Sequence, residues 1–366
     1  MKPKDVLVLL NAPSSDSPIA ALLDSAKRLG WRMTIEERLM PPEDWRGDGA
    51  LVTTFDHPPL IRYLRRLRRR GVKVVDLADF QSAFRCNRCT FDFGAVSRMV
   101  AAHFRGLGFR RAAFFAMEPI PTRRLESAAF AKAWHGEFQS WVFDGSGAPS
   151  RWLRTLLVAA EKPLAVACPN SYNAVRVLEE CLAAGIRVPE EVSIVSEWYE
   201  PAFCENQRVA VSGVVCDTAR RMREAVKLLD RLMAGDRSAP REILIPPDRL
   251  VVNESSDAYA TGSPALRRVF AAIRRNLAHP IGVDELASVA GVSRTTLDRL
   301  FAAELGRSVG SEILRQRLLK AKRLLETTDM KLATIAAECG FCHSSYFVKA
   351  FSAAEGTTPG AWRQHR

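Results

Sequence analysis

Two things are scarce in this 366-residue chain: long apolar runs and acidic side chains. No stretch approaches the roughly 20 consecutive apolar residues that a membrane-spanning helix needs. The opening Met1-Lys2-Pro3-Lys4 leads directly into a short strand-like run and not into a signal peptide. Neither a membrane partner nor export is therefore expected, and the chain reads as cytoplasmic. The spacings of common enzyme chemistry are also missing, for no G-x-S-x-G, no G-x-x-x-x-G-K-[ST] and no H-E-x-x-H occurs. His57 and His103 have no Ser, Cys or carboxylate partner at motif spacing. No catalytic residues and no cofactor are expected. The eight cysteines should be reduced in a cytoplasmic setting. Cys86-x-x-Cys89 and Cys339-x-x-Cys342 have zinc-knuckle spacing, but Cys339 falls on the apolar stripe of a helix, so no metal is expected.

The acidic deficit is the first positive signal. The chain has 53 Lys and Arg against 41 Asp and Glu, a net charge of +12. From Ala265 onward there are 16 basic and 9 acidic residues, so more than half of the excess lies in the last third. Such a local excess suits a polyanionic partner. At 366 residues, with 47% hydrophobic content, the chain should form at least two cores.

The last third is organised around a glycine-interrupted helix pair. Leu332, Ile335, Ala336 and Cys339 recur at helical spacing, Gly340 interrupts, and Phe347, Ala350 and Phe351 form the next stripe. An echo lies 49 positions earlier up to the turn glycine and 50 beyond it, where Leu286, Ala287, Ala290 and Gly291 precede Leu297 and Phe301. Two such pairs in register imply two helix-turn-helix units. Ser311–Thr327 reads as the helix that connects them, with Ile313, Leu314, Leu318, Ala321 and Leu325 on its buried side.

These residues resemble the AraC-type DNA-binding domain. The resemblance rests on Arg317, Ala321, Leu324-Leu325, Ile335-Ala336, Gly340-Phe341, Ser345-Tyr346-Phe347, Phe351, Gly356, Thr358-Pro359 and Trp362-Arg363. It implies binding to double-stranded DNA. Packing of Leu297 and Phe301 leaves Arg294, Thr295, Asp298 and Arg299 outward, and packing of Phe347 and Phe351 leaves His343, Ser344, Ser345 and Lys349 outward. In the family, positions matching Thr295, Arg299, Ser345 and Lys349 lie at the DNA. An arginine such as Arg299 can read guanine through two hydrogen bonds, whereas Lys349 is expected at phosphate. Ser352 departs from the family, which usually has Lys or Arg there.

The preceding residues alternate strand and helix signals. Strands are expected at Asp5–Asn11, Trp31–Glu37, Gly49–Thr54, Val72–Asp76, Ala112–Met117, Trp141–Phe143, Leu164–Cys168, Val192–Ser196 and Val209–Val215. Helices are expected between them, including Leu60–Arg70, Arg123–Phe138 and Ser171–Ala184. Repeated βα units imply a parallel sheet covered on both faces. Arg62, Arg65, Arg66, Arg68, Arg69 and Arg70 share one helix with the stripe Ile61, Leu64 and Leu67, and read as its solvated face.

From Asn170-Ser171 through Gly185–Val195 to Arg208–Ser212 and Ile245–Val252, the chain looks like the effector-binding domain of LacI-type repressors. The expected architecture is thus a two-lobed α/β domain of periplasmic-binding-protein type followed by an all-α domain with two helix-turn-helix units. Residues 1–252 would bind an effector and dimerise, 253–264 would link, and 265–366 would bind DNA. The resemblance also implies a charged clamp on sugar hydroxyls. Its positions fall here on Asp92, on Glu126 in place of the usual Arg with Arg123 and Arg124 nearby, on Ser171 flanked by Asn170, and on Trp198 or Tyr199. A shift of one residue would place Glu197 there instead. The expected effector is a small polar molecule, sugar or sugar-like, and the alternative is a ligand-free dimerisation module. A transport-type solute-binding protein would leave the C-terminal third unexplained.

Overall fold

The computed structural model describes residues 3–10, 19–36, 45–54, 57–78, 84–261 and 263–364; the expected strand ends at Asn11 and Glu37 lie outside them. In chain order the strands are β1 (Asp5–Leu9), β2 (Arg32–Glu36), β3 (Gly49–Val52), β4 (Lys73–Asp76), β5 (Asn87–Phe91), β6 (Arg111–Ala116), β7 (Glu137–Val142), β8 (Leu164–Cys168), β9 (Val192–Ser196), β10 (Ser212–Val215), β11 (Glu242–Ile245) and β12 (Arg249–Val251). The first eight helices are α1 (Ile19–Arg28), α2 (Pro58–Arg69), α3 (Phe93–Gly106), α4 (Pro121–Ala133), α5 (Pro149–Ala159), α6 (Ser171–Ala183), α7 (Pro201–Cys204) and α8 (Thr218–Met233). The C-terminal helices are α9 (Pro264–Arg275), α10 (Val283–Ala290), α11 (Arg294–Leu305), α12 (Val309–Thr327), α13 (Leu332–Glu338), α14 (Ser344–Glu355) and α15 (Pro359–Gln364).

Two compact units result, Met1–Ser97 with Val214–Arg249, and Arg98–Gly213 with Leu250–Arg366. The first is built on a sheet of order β11-β5-β4-β3-β1-β2, parallel throughout. Val6 to Leu9 of β1 and all of β3 are buried, as befits central strands covered on both faces. Helix α2 begins with Pro58-Pro59, where missing amide donors cost nothing, and buries Leu60, Ile61, Tyr63, Leu64 and Leu67.

The second unit carries a sheet of order β12-β10-β9-β8-β6-β7. Strands β8 and β9 are buried at every position, and Asn170 caps α6 by accepting from the Asn173 N–H. One expected boundary is wrong here. The helix read as Arg123–Phe138 ends at Ala133, and β7 begins at Glu137. Gly136 sits between them so close to the Arg110 carbonyl that a Cβ would overlap it. As an edge strand, β7 carries a mixed pattern that resembles a polar helix face. Strands β5 and β11, with the sequences NRCTF and EILI, also escaped notice because each is short and partly polar.

Residues 253–261 of the expected linker are packed into the second unit. Asn253, Ser255, Ser256, Ala258, Tyr259 and Thr261 are all buried. Ser255 Oγ donates to the Ile194 carbonyl at 2.7 Å and accepts from the Ser212 N–H at 2.9 Å. Small hydroxyl side chains can enter a core when each finds a backbone partner. Such a segment looks like a linker in composition and behaves as a joint in space.

The helical domain follows. Its two helix-turn-helix units are α10–α11 and α13–α14, closed by Gly291 at φ +69° and Gly340 at φ +76°. The left-handed region admits glycine without strain. Around the second turn Ile335, Ala336, Cys339, Phe341, Phe347 and Phe351 pack against Leu318, Ala321 and Leu325 of α12.

Candidate DNA-binding and effector sites

Helix α11 starts at its cap Ser293, whose hydroxyl accepts from the Thr296 N–H. Leu297 and Phe301 are fully buried, which turns Arg294, Thr295, Asp298 and Arg299 to the outside, all exposed. Arg294 approaches Asp284 of α10 at 3.3 Å, an exposed ion pair. In the second unit Phe347 and Phe351 are fully buried, and His343, Ser344, Ser345 and Lys349 are exposed. Each unit thus presents four of the eight expected residues along one helix and its leading end. Tyr346 is exposed as well and leans on Phe341, with ring centroids 5.9 Å apart. Ser352 does not take the place of an outward cation, because its hydroxyl oxygen is enclosed without a hydrogen-bond partner.

Polar side chains gather at the carboxyl ends of β6 and β8, where open parallel sheets bind ligands. Asn173 lies at the centre. Its amide donates to both Glu118 oxygens at 3.1 Å and to Asn170 Oδ1 at 2.8 Å, while its carbonyl accepts from the Met117 N–H at 2.7 Å. Arg123 bridges Glu118 at 3.0 Å and Glu126 at 2.8 Å. Burial opposes the charge on Glu118, but Arg123 and the Asn173 amide outweigh it and hold that carboxyl below its ordinary range. Arg123, desolvated too, is held even more firmly protonated by Glu126 and Glu118.

The remaining expected effector residues divide. Arg124 is exposed. Ser171 is buried, and its hydroxyl donates to the Trp198 carbonyl at 2.7 Å and accepts from the Glu200 N–H at 2.9 Å. It closes the β9–α7 loop and spends its hydrogen-bonding capacity there. Glu197 is buried, with its N–H donating to the Cys168 carbonyl, and Trp198 is half-buried. Asp92 belongs to the other unit, where its carboxylate accepts from the Ala95 N–H at 2.8 Å and caps α3. Glu118 and Asn173 join this polar cluster without being marked by the family resemblance. Asn170-x-x-Asn173 across a helix start was the available signal, whereas Glu118 gains meaning only from its neighbours.

A helix-turn-helix domain model matches residues 286–365, and a periplasmic binding protein-like domain model matches residues 101–256. The chain is similar to the xylose operon regulatory protein of Escherichia coli, 26% identical over 354 residues that cover 92% of this chain and 90% of that one. The corresponding Haemophilus influenzae protein is 24% identical, covering 86% and 84%. Among solved structures, the xylose-binding transcription activator xylR matches 100% of this chain and 99% of its own with a TM-score of 0.61 and 22% identity.

The chain is an AraC-type helix-turn-helix transcription regulator.

Its relatives regulate transcription, and it is a regulator and not an enzyme. Within this regulator the exit from the second sheet is wired to the DNA-binding domain. Glu312 of α12 is fully buried and accepts from Tyr259 Oη at 2.5 Å, from Gln316 at 2.9 Å and from Arg315 twice at 3.0 Å. Arg307 approaches the same carboxylate at 3.5 Å and the Gly106 carbonyl of α3 at 3.4 Å. All eight cysteines are free thiols, and burial pushes Cys86 and Cys89 up to about 12. Among the described residues no group of three or more His, Cys, Asp or Glu could hold a metal ion.

Proposed function

We propose that the regulator senses a small polar ligand, sugar-like in its hydrogen bonding, at the carboxyl ends of β6, β8 and β9, and that occupancy alters its grip on operator DNA. The Glu118–Asn173–Asn170–Arg123 cluster carries this reading. It offers carboxylate acceptors beside amide and guanidinium donors, held in place before any ligand arrives, and a sugar hydroxyl needs both kinds of partner. Trp198 supplies an aromatic surface that can lie against a sugar ring. The regulator acts in the cytoplasm as a homodimer, and Arg294, Thr295, Asp298, Arg299, His343, Ser344, Ser345 and Lys349 meet the DNA.

The curated relatives are named for xylose. In this chain the positions expected to clamp hydroxyls hold Glu126, where an Arg is usual, and Ser171, where an Asp is usual, so D-xylose is not gripped here as a family pentose. A thermal-shift screen with sugars and polyols tests the proposal, because a ligand bound only by the native state raises the melting temperature. A hit should lose affinity in Glu118→Gln and Asn173→Ala. A regulator that binds DNA yet is stabilised by none of these compounds would be the ligand-free alternative. Micromolar D-xylose binding abolished by Asp92→Ala would overturn this account of the pocket.

A further inference from the structure

The first unit carries a surface of one sign. Between His57 and Val75 there are seven basic residues and no acidic one. Arg62, Arg65, Arg66, Arg68, Arg69, Arg70 and Lys73 are all exposed, and among the described residues none of them forms an ion pair. A solvated helix face needs polar residues but not a single charge. Helix α8 of the same unit solves that problem by pairing, with Arg223 to Asp217 at 3.4 Å, Lys227 to Glu224 at 2.8 Å and Arg231 to Asp236 at 2.7 Å. Favourable placement of cations at a helix C-terminus accounts for Arg66, Arg68 and Arg69 but not for Arg62, Arg65 or Lys73.

The charge continues into an open groove of about 620 Å³ beside α2, lined by Arg68, Lys73, Arg85, Arg88 and Arg241. Its one carboxylate, Glu242, is bonded to Arg88 at 3.1 Å. Two of these arginines are held in position. Arg68 lies over the Phe84 ring at 5.0 Å and donates to the Arg85 carbonyl at 3.0 Å, and Arg88 donates to the Ala78 carbonyl at 3.1 Å.

We propose that the exposed face of α2 and this groove form a second, sequence-independent DNA-contact surface, which takes the phosphate backbone of the duplex flanking the operator. A run of 12 helical residues spans about 18 Å, long enough to meet several phosphates, whereas a small anion would engage only a few of these charges. Tethering supplies the rest of the argument. Once the helix-turn-helix units hold an operator, neighbouring phosphates stand at an effective concentration of the order of millimolar, so individually weak contacts suffice.

The test uses the full chain and a duplex that it selects from a random pool. Affinity is measured against salt for that duplex trimmed to its core and for the same core with about two helical turns added on each side. Wild type should show the steeper salt dependence on the long duplex. The triple variant Arg62→Ala/Arg65→Ala/Arg69→Ala should lower the long-duplex slope by about 2–3, near 0.9 per phosphate lost, and leave the core duplex unchanged. The corresponding triple Arg→Lys variant should keep the wild-type slope. Alanine favours the helix, so loss of α2 is not the expected cause. Equal wild-type slopes on the two duplexes would overturn the proposal, and so would an Ala variant that retains the long-duplex slope or loses equally on both. If no duplex is retained in the selection, the DNA-binding reading itself fails, and this surface fails with it.

Discussion

The Tyr259 hydroxyl donates to Glu312 Oε2 at 2.5 Å, joining the segment that enters the helical domain to the helix that connects its two DNA-reading units. Both residues are buried, and Arg307 and Arg315 lie over the Tyr259 ring at 5.6 and 5.1 Å. The carboxylate is satisfied on both oxygens, so the network holds a single geometry. Removing one member should be costly. Glu312→Ala leaves the Arg315 guanidinium without its buried partner and should cost about 3–5 kcal/mol in urea denaturation. Tyr259→Phe removes one hydrogen bond to a charged group and should cost about 1.5–3 kcal/mol. A Glu312→Ala protein as stable as wild type would show that the network holds nothing together.

Acid should loosen the same region. His103 hydrogen-bonds Ser256 Oγ at 2.9 Å, and burial, with Arg315 nearby, lowers its pKa from 6.5 to about 4. The unfolded chain therefore binds a proton between those values that the folded chain does not. Stability from neutral His103 is complete above pH 6.5 and declines as pH falls toward 4. His103→Gln should flatten that part of the melting-temperature profile. An unchanged slope between pH 6.5 and 4 in the variant would assign the acid sensitivity elsewhere.

The two turn glycines should not respond alike to alanine. At Gly291 the nearest atom to a new Cβ is the Arg268 guanidinium at 3.6 Å, the far end of a flexible chain. Only the left-handed backbone is strained there, for about 1–2 kcal/mol. At Gly340 the same backbone strain is joined by overlap with the Leu277 carbonyl and by crowding of the Arg317 guanidinium at 2.9 Å. Gly340→Ala should therefore lower the melting temperature further than Gly291→Ala. The reverse order would contradict this account of the second turn.

Division of labour between the recognition helices can be read from DNA affinity. Arg299→Ala should cost about 1–3 kcal/mol on the preferred duplex and relax preference at one base pair. Lys349→Ala should weaken preferred and random duplexes by similar factors, as a phosphate contact does. Equal losses on both duplexes for Arg299→Ala would make it a positioning contact instead.

The helix-turn-helix units were legible because their information is local. Spacing of Leu286, Ala287 and Ala290 before Gly291, and of Ile335, Ala336 and Cys339 before Gly340, defines helix faces and turns without reference to distant residues. Burial of Leu297, Phe301, Phe347 and Phe351 then decides which neighbours face outward. The two-sheet α/β architecture was legible for the same reason wherever strands are mostly apolar, as in β1, β8 and β9. Strands β5 and β11 were not, and β7 was legible only from Trp141 on, since an edge or half-polar strand draws its stability from partners far away in sequence.

Only tertiary structure decided the polar chemistry. Ser171 and Asn173 are both small polar residues in the first turn of α6, yet Ser171 closes a loop and Asn173 organises the cluster around Glu118. Glu118, Arg123 and Glu126 meet because a strand end, a turn and a helix converge there. A segment of serines and small residues from Asn253 to Thr261 became a packed joint because Ile194, Ser212 and Glu312 supply its hydrogen-bond partners. The sequence by itself determined most of the elements, the outward faces of α11 and α14 and the charge of the last third. Hydrogen bonding among residues remote in the chain determined which polar groups remain available to a ligand, because a buried polar group is fixed by whichever partner the fold brings to it.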